Sequence, residues 1–259
     1  MPSRLLVRDL GRVPALPGVE VARAHYHDTD AVAAALQGVA TVFMVSAAES
    51  IDRVDHHRSF VDGAVRAGVQ HLVYTSFVGA GPTATFTLVR HHGATEDYVR
   101  ASGLDFTFLR NNLYADFFPL MVGSDDVLRG PAGTGHVAAV AQDDIADVAA
   151  AVLRDPAAHR GRTYDLTGPE ALDLGEVSEI LSTALNRPIA YKNETVAEAY
   201  ASRACYDAPR WQVDAWVTTY TAIAAGELAA VTDDVERISG HPATSVAELL
   251  RPSGSSPLG

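Results

Sequence analysis

Lysine and cysteine are almost absent from this chain. Its one lysine is Lys192 and its one cysteine is Cys205. A single cysteine excludes an internal disulfide and fits a reducing compartment, so a cytoplasmic location is expected. Basic character rests almost wholly on arginine, and the formal charge of −12 argues against a nucleic-acid partner. No apolar run approaches the ~20 residues that span a bilayer, so no membrane partner is expected. Arg4, Arg8 and Arg12 mimic the spacing of an Arg-rich transit helix. Pro14, Pro17 and Asp9 interrupt that pattern, and a strand followed by a loop is the better reading.

What remains is ample for a core. At 259 residues and 47% hydrophobic content, the chain is one large domain or a domain with a small appendage. Short apolar runs at 4–8, 19–26, 40–46, 71–76 and 105–109 read as strands. Helical periodicity fills 29–36, 51–67 and 92–102, each stopped by a glycine (Gly38, Gly68, Gly103). ATVFMVS at 40–46 is nearly continuous, as a strand buried on both faces must be. This alternation predicts an α/β fold with a doubly wound parallel sheet.

After Phe118 the rhythm changes. GPAGTGHVAAV at 130–140 is a glycine-rich turn and short strand, and lacks the Lys-Ser/Thr of a P-loop. Helices are expected at 142–153, 173–185 and 195–226 (broken near Pro209), and two short ones within 233–250. Strands are expected at 163–167 and 189–192, and 251–259 reads as a disordered tail. The expected division is an α/β region over 1–155 and a smaller, mainly helical region over 156–250.

Chemistry concentrates after the strand DFTFL. Arg110, Asn111, Asn112 and Tyr114 follow it with no turn glycine. Ligands of parallel α/β sheets bind just beyond the carboxyl ends of the strands, which makes this polar cluster a site candidate. The pairs His56-His57 and His91-His92 have no HExxH-like spacing, and neighbouring residues on a helix point in different directions. No metal is expected.

HGATE at 92–96, FTFLRN at 106–111 and LYADFF at 113–118 are the most specific elements of a wider likeness. With LLVRD, FMVSAAES, DDIADVAAAVL and GHPATSVAELL, they make the chain resemble the NmrA-like branch of the atypical short-chain dehydrogenases. Within that branch it is most similar to the triphenylmethane reductase and NAD(P)H:quinone oxidoreductase groups. The resemblance implies a Rossmann-like domain with a C-terminal substrate domain. The GxxGxxG turn of the family and the strand before it are not in this sequence, which begins at what corresponds to the second strand. A recorded start inside the gene is the expectation, and the second strand should then face the fourth across a gap or slide over to pair with it. The Tyr-xxx-Lys pair of ordinary short-chain dehydrogenases is also absent, as it is from this branch. Catalysis would therefore rest on placing an acceptor beside the nicotinamide.

The same resemblance assigns the site. Arg8 follows the second strand, where an arginine accommodates the 2′-phosphate of NADP(H); Asp9 beside it leaves NAD(H) open. Tyr26 and Asp28 would flank the adenine. Ser46, Ala47 and Ala48 would line the ribose and pyrophosphate path. Thr75, Ser76 and Phe77 would lie near the nicotinamide, with Asn111 orienting it. Asn112, Tyr114 and His92 are the catalytic candidates. Trp211, Trp216 and Tyr220 cap the pocket, form a dimer face or fill core. The function expected is NADP(H)-dependent reduction of a quinone-like or aromatic small molecule. Two alternatives stay open: a non-catalytic dinucleotide sensor, or a truncated homologue that binds no cofactor.

Overall fold

The computed structural model describes residues 3–13 and 16–251. The tail expectation for 252–259 lies outside the described residues. In chain order the first half contains β1 (Ser3–Val7), β2 (Val19–Arg23), α1 (Thr29–Ala35), β3 (Thr41–Met44), α2 (Arg53–Arg66), β4 (His71–Phe77), α3 (Thr87–Ala101) and β5 (Asp105–Asn111). A 3-10 segment at Ala115–Met121 leads into β6 (Val127–Gly130), β7 (His136–Val137) and α4 (Gln142–Arg154). Then follow β8 (Arg162–Leu166), β9 (Leu172–Asp173), α5 (Leu174–Leu185), β10 (Ala190–Asn193), α6 (Val196–Arg203), α7 (Arg210–Ala224), α8 (Asp234–Ser239) and α9 (Val246–Leu249).

The central sheet is parallel with order β3-β4-β5-β8. β4 is buried along nearly its whole length, because helices cover both faces. Val42, Met44, Leu72, Tyr74 and Phe108 pack with Phe60, Val61 and Val99 of α2 and α3. Phe43, Val73 and Leu109 point the other way, against Ile145, Val148 and Val152 of α4. A third core joins Phe118, Leu128, Leu181, Tyr220 and Ile223 in the C-terminal half.

β1 and β2 form a separate parallel pair, and β1 does not pair with β3 among the described residues. The gap expectation therefore describes the structure, and the sliding alternative does not. Leu6 still packs into the core under α1 and α2. Tyr26, just past β2, donates its hydroxyl to the Val45 carbonyl at 2.9 Å and so ties the two sheets together.

Two boundaries differ from the sequence expectation and both matter. β5 runs on through Arg110 and Asn111, because Arg110↔Ser76 and Asn111↔Phe77 continue the ladder with β4. α3 begins five residues earlier than the periodicity suggests, at Thr87, with Phe86 as a cap that makes no side-chain hydrogen bond. The parallel pairing of β6 with β10 was not expected; it builds the C-terminal region against the 3-10 segment.

Candidate functional site

β3, β4 and β5 end at one edge of the sheet, since Met44 is in register with Tyr74 and Phe77 with Asn111. The connections after them, 45–52, 78–86 and 112–114, form the rim. A cavity of about 690 Å³ opens between β1 and the connection after β3. It is lined by Arg8, Arg12, Tyr26, His27 and the run Val45–Ser50, among others. A contiguous depression of about 440 Å³ gathers Arg8, Arg12 and Arg23.

Below the rim lies a buried polar network. The Ala47 amide donates to His57 Nε2 at 2.8 Å, so that nitrogen accepts and Nδ1 carries the proton. Nδ1–H then donates to Thr95 Oγ1 at 2.8 Å, and Thr95 donates in turn to the His91 carbonyl at 2.8 Å. His92 is fixed by the same logic. Arg53 only donates, so His92 Nε2 accepts from it at 3.1 Å and Nδ1–H faces Tyr74 Oη at 3.0 Å. Burial and then the Arg53 charge push His57 down to about 3. The same causes, in the same order, hold His92 well below its ordinary value. Both imidazoles are neutral at physiological pH.

A second hub is Glu96, which is fully buried. Its carboxylate accepts from Arg110 Nε at 2.8 Å and Nη2 at 2.7 Å, from Arg100 Nη2 at 2.8 Å and from Ser76 Oγ at 2.6 Å. Two guanidinium groups and a hydroxyl offset the cost of burying that charge. Arg100 also lies over the Phe108 ring at 4.8 Å.

The last residue of β5 is Asn111. It is 1% exposed, and its Nδ2 donates to the Tyr114 hydroxyl at 3.2 Å. Its Oδ1 is buried and has no partner. Phe77, opposite it in the ladder, contacts the rings of Phe86 and His92 at 5.5 and 6.1 Å. Buried polar atoms are nearly always paired, so each unpaired one calls for an explanation. Ser50 Oγ, Arg53 Nε and His91 Nδ1 are unpaired as well, and all lie on the segments that shape this edge.

The expected site residues divide accordingly. Arg8, Tyr26, Ser46, Ala47 and Ala48 line the large cavity. The Tyr26 phenol is pushed up to about 12, chiefly by burial. Asp28 does not line it: its carboxylate accepts from the Ala31 amide and caps α1. Thr75 accepts from the Ser46 amide at 2.7 Å and fixes the loop after β3. Ser76 gives its hydroxyl to Glu96, so it organises the wall. Asn112 has both ends of its amide engaged by backbone: Nδ2 donates to the Leu228 carbonyl and Oδ1 accepts from the Leu113 amide. It tethers the C-terminal half to the sheet. Asn111, Tyr114, Phe77 and His92 remain together at the edge. Arg53, His57 and Thr95 are the residues that sequence reading missed; DRVDHHR looks like an ordinary charged helix start, and only burial singles Arg53 out.

A further cavity of about 460 Å³ lies in the C-terminal half, with Phe117, Met121, Arg203, Tyr206, Trp216 and Tyr220 in its wall. Tyr220 is buried core and Trp216 is half-buried beside Tyr206, ring centroids 5.8 Å apart. Neither histidine pair gathers ligands. Among the described residues, His136, Asp173 and Glu176 do bring ligand atoms within 4.8 Å of one another. Both carboxylates there already serve the capping box of α5. No helix among the described residues is long and apolar enough to cross a membrane.

This geometry agrees with comparisons to known proteins. A model of the NAD(P)H-binding family matches residues 1–156. The NAD(P)H azoreductase of Xenophilus azovorans is 30% identical over 256 residues, covering 97% of this chain and 89% of that protein. The structure of an NADPH-dependent quinone oxidoreductase from Escherichia coli, complexed with NADPH, superposes with a TM-score of 0.87 at 30% identity. That match covers 95% of this chain and 88% of that one. Triphenylmethane reductase of Citrobacter sp., complexed with NADP(H), gives a TM-score of 0.85 at 27% identity, covering 95% and 89%. The chain belongs to the NAD(P)H-binding family, in its NmrA-like branch.

Proposed function

We propose that this protein is an NADP(H)-dependent reductase of quinone-like or other aromatic acceptors. The observation that carries the reading is Asn111: a nearly fully buried carboxamide at the carboxyl end of β5 whose oxygen has no partner. That oxygen suits the amide N–H of a nicotinamide. The run Ser46–Ser50 and the arginines around Arg8 suit the rest of a dinucleotide. Small side chains at 46–48 permit close backbone approach, and Arg8, Arg12 and Arg23 together suit a 2′-phosphate. The bound dinucleotide supplies a hydride.

The chain's own contribution is placement. Asn111 orients the ring, Phe77 and His92 wall it, and the Tyr114 hydroxyl is positioned to donate to a polar atom of the acceptor. Two electrons and one hydrogen pass to the acceptor, which takes a further proton from solvent. No buried charged acid is needed, in keeping with neutral His57 and His92. In this reading residues 1–155 hold the cofactor, while 156–250 close over the acceptor, with the cavity beside Trp216 receiving it. The test is fluorescence titration of NADPH and NADH, followed by NADPH oxidation with quinones, azo dyes and triphenylmethane dyes. Saturable binding and turnover, with NADPH preferred, are expected. Binding without turnover across the panel would leave a sensor; no binding of either nucleotide would remove the reading.

A further inference from the structure

Arg53 is a buried charge without a carboxylate partner among the described residues. It opens α2 directly after the rim loop of β3, and it is 5% exposed. Buried guanidinium groups are normally matched by carboxylates, as Glu96 matches Arg110 and Glu194 matches Arg203 here. Arg53 has no such partner among the described residues. Its one hydrogen bond goes from Nη2 to a neutral imidazole, His92 Nε2. Its Nε is buried and unpaired.

The cost of this arrangement is visible. Burial lowers the arginine from its ordinary value, with Tyr74, Glu49 and Tyr114 the ionisable groups opposing that shift. Glu49 is exposed on the rim and forms no ion pair with it. Tyr114 is linked to Asn111, and Ser50 Oγ three residues upstream is also unpaired. The surroundings of Arg53 are therefore polar, under-satisfied and cationic. His92 holds the guanidinium in place without neutralising it.

We propose that Arg53 is an anion receptor at the carboxyl edge of the sheet, taking a negatively charged oxygen of a ligand that enters from the large cavity past Ser50 and His56, which line it. Within the proposed function two ligands carry such an oxygen: a phosphoryl group of the dinucleotide, and the ionised hydroxyl of a hydroxylated quinone acceptor. The receptor itself is independent of that reading, because any small oxyanion of the right size can fill it. The planar fork gives a reason for arginine over lysine, since two parallel N–H groups meet two oxygens or one oxygen and Ser50.

The experiment compares wild type with Arg53→Met and Arg53→Lys. Three probes are titrated: NADPH, inorganic pyrophosphate, and a hydroxynaphthoquinone ionised at neutral pH. Thermal unfolding is followed with and without each. Arg53→Met should weaken at least one anion by about tenfold or more, with Arg53→Lys in between. Loss confined to NADPH and pyrophosphate assigns the phosphoryl group; loss confined to the hydroxynaphthoquinone assigns the acceptor. Pyrophosphate binding that depends on Arg53, with no NADPH binding, keeps the receptor and sinks the reductase.

Ligand-free unfolding separates this from a structural role. A receptor pays for an unmatched buried charge, so Arg53→Met should melt no lower than wild type without ligand. A lower melting temperature together with unchanged affinity for all three probes would overturn the proposal. So would a wild type that binds none of them.

Discussion

Glu96 grips Arg110 through both carboxylate oxygens, at 2.8 and 2.7 Å, with its own side chain 1% exposed. The pair joins α3 to the end of β5 and fixes the floor beneath Asn111. The hydrogen bonds that Arg110 donates to Glu96 raise the arginine above its ordinary value and outweigh the opposing effect of burial, so the guanidinium stays charged. Glu96→Ala leaves Arg110 and Arg100 without their shared acceptor and Ser76 without its partner. Breaking a buried pair from one side costs about 3–5 kcal/mol. For a chain of this size that is a fall of about 10 °C in melting temperature. Scanning calorimetry checks it, and a fall of only a degree or two would show that the pair is dispensable.

Acid should destabilise the fold well above the carboxylate range. In the unfolded chain a histidine titrates near 6.5, whereas folded His57 does so at about 3 and His92 well below its ordinary value. Above the unfolded value both states are neutral and nothing is lost. Below it the unfolded state takes up protons that the folded state refuses, so stability falls as pH drops from about 6.5 towards the folded values. Each histidine contributes a slope of about 1 kcal/mol per pH unit in that window. Urea midpoints measured between about pH 7 and pH 4 should show it, and His57→Asn should flatten the curve.

Much of this fold was legible because its strands are short apolar runs and its helices end on glycines. Asp28 and Asp173 cap helices where the sequence suggested starts. The extension of β5 was not legible, since Arg110 and Asn111 look like loop and become strand only by pairing with Ser76 and Phe77. β6 was missed for a similar reason: VLRG has little strand character until Tyr191 and Lys192 pair with it. At the site, residue type pointed correctly to a polar edge but could not sort neighbours. Asn111 and Asn112 differ by one position, and backbone alternation sends one amide to the Tyr114 hydroxyl and the other to the Leu228 carbonyl. Arg53 was hidden because burial of a charge has no local signature.

The 78–86 loop should prove sensitive to one hydrogen-for-methyl exchange. A Cβ on Gly93 would lie 2.7 Å from Gly81 N and 2.8 Å from its Cα. Those are backbone atoms, so α3 and the loop would have to part. Gly93→Ala should cost about 1–3 kcal/mol and loosen the loop that carries Phe86 against Phe77. Gly81→Ala is the control, because its added Cβ meets nothing nearer than 3.7 Å. Equal melting temperatures for the two variants would mean that the helix can move away freely.

Asn111 should trade stability for function. Its unpaired oxygen is a cost in the free protein and, in the proposed reductase, a contact in the complex. Asn111→Leu removes the buried orphan and fills a similar volume, so the melting temperature should hold or rise. The same change frees the Tyr114 hydroxyl from its 3.2 Å donor and deletes the nicotinamide contact, so kcat/KM should fall by about a hundredfold. Tyr114→Phe leaves the amide in place and should lose less, about tenfold, mainly in kcat. Steady-state kinetics beside calorimetry on the same preparations decide the point. If Asn111→Leu melts several degrees lower while retaining its activity per folded molecule, Asn111 is a structural residue and makes no contact with the nicotinamide.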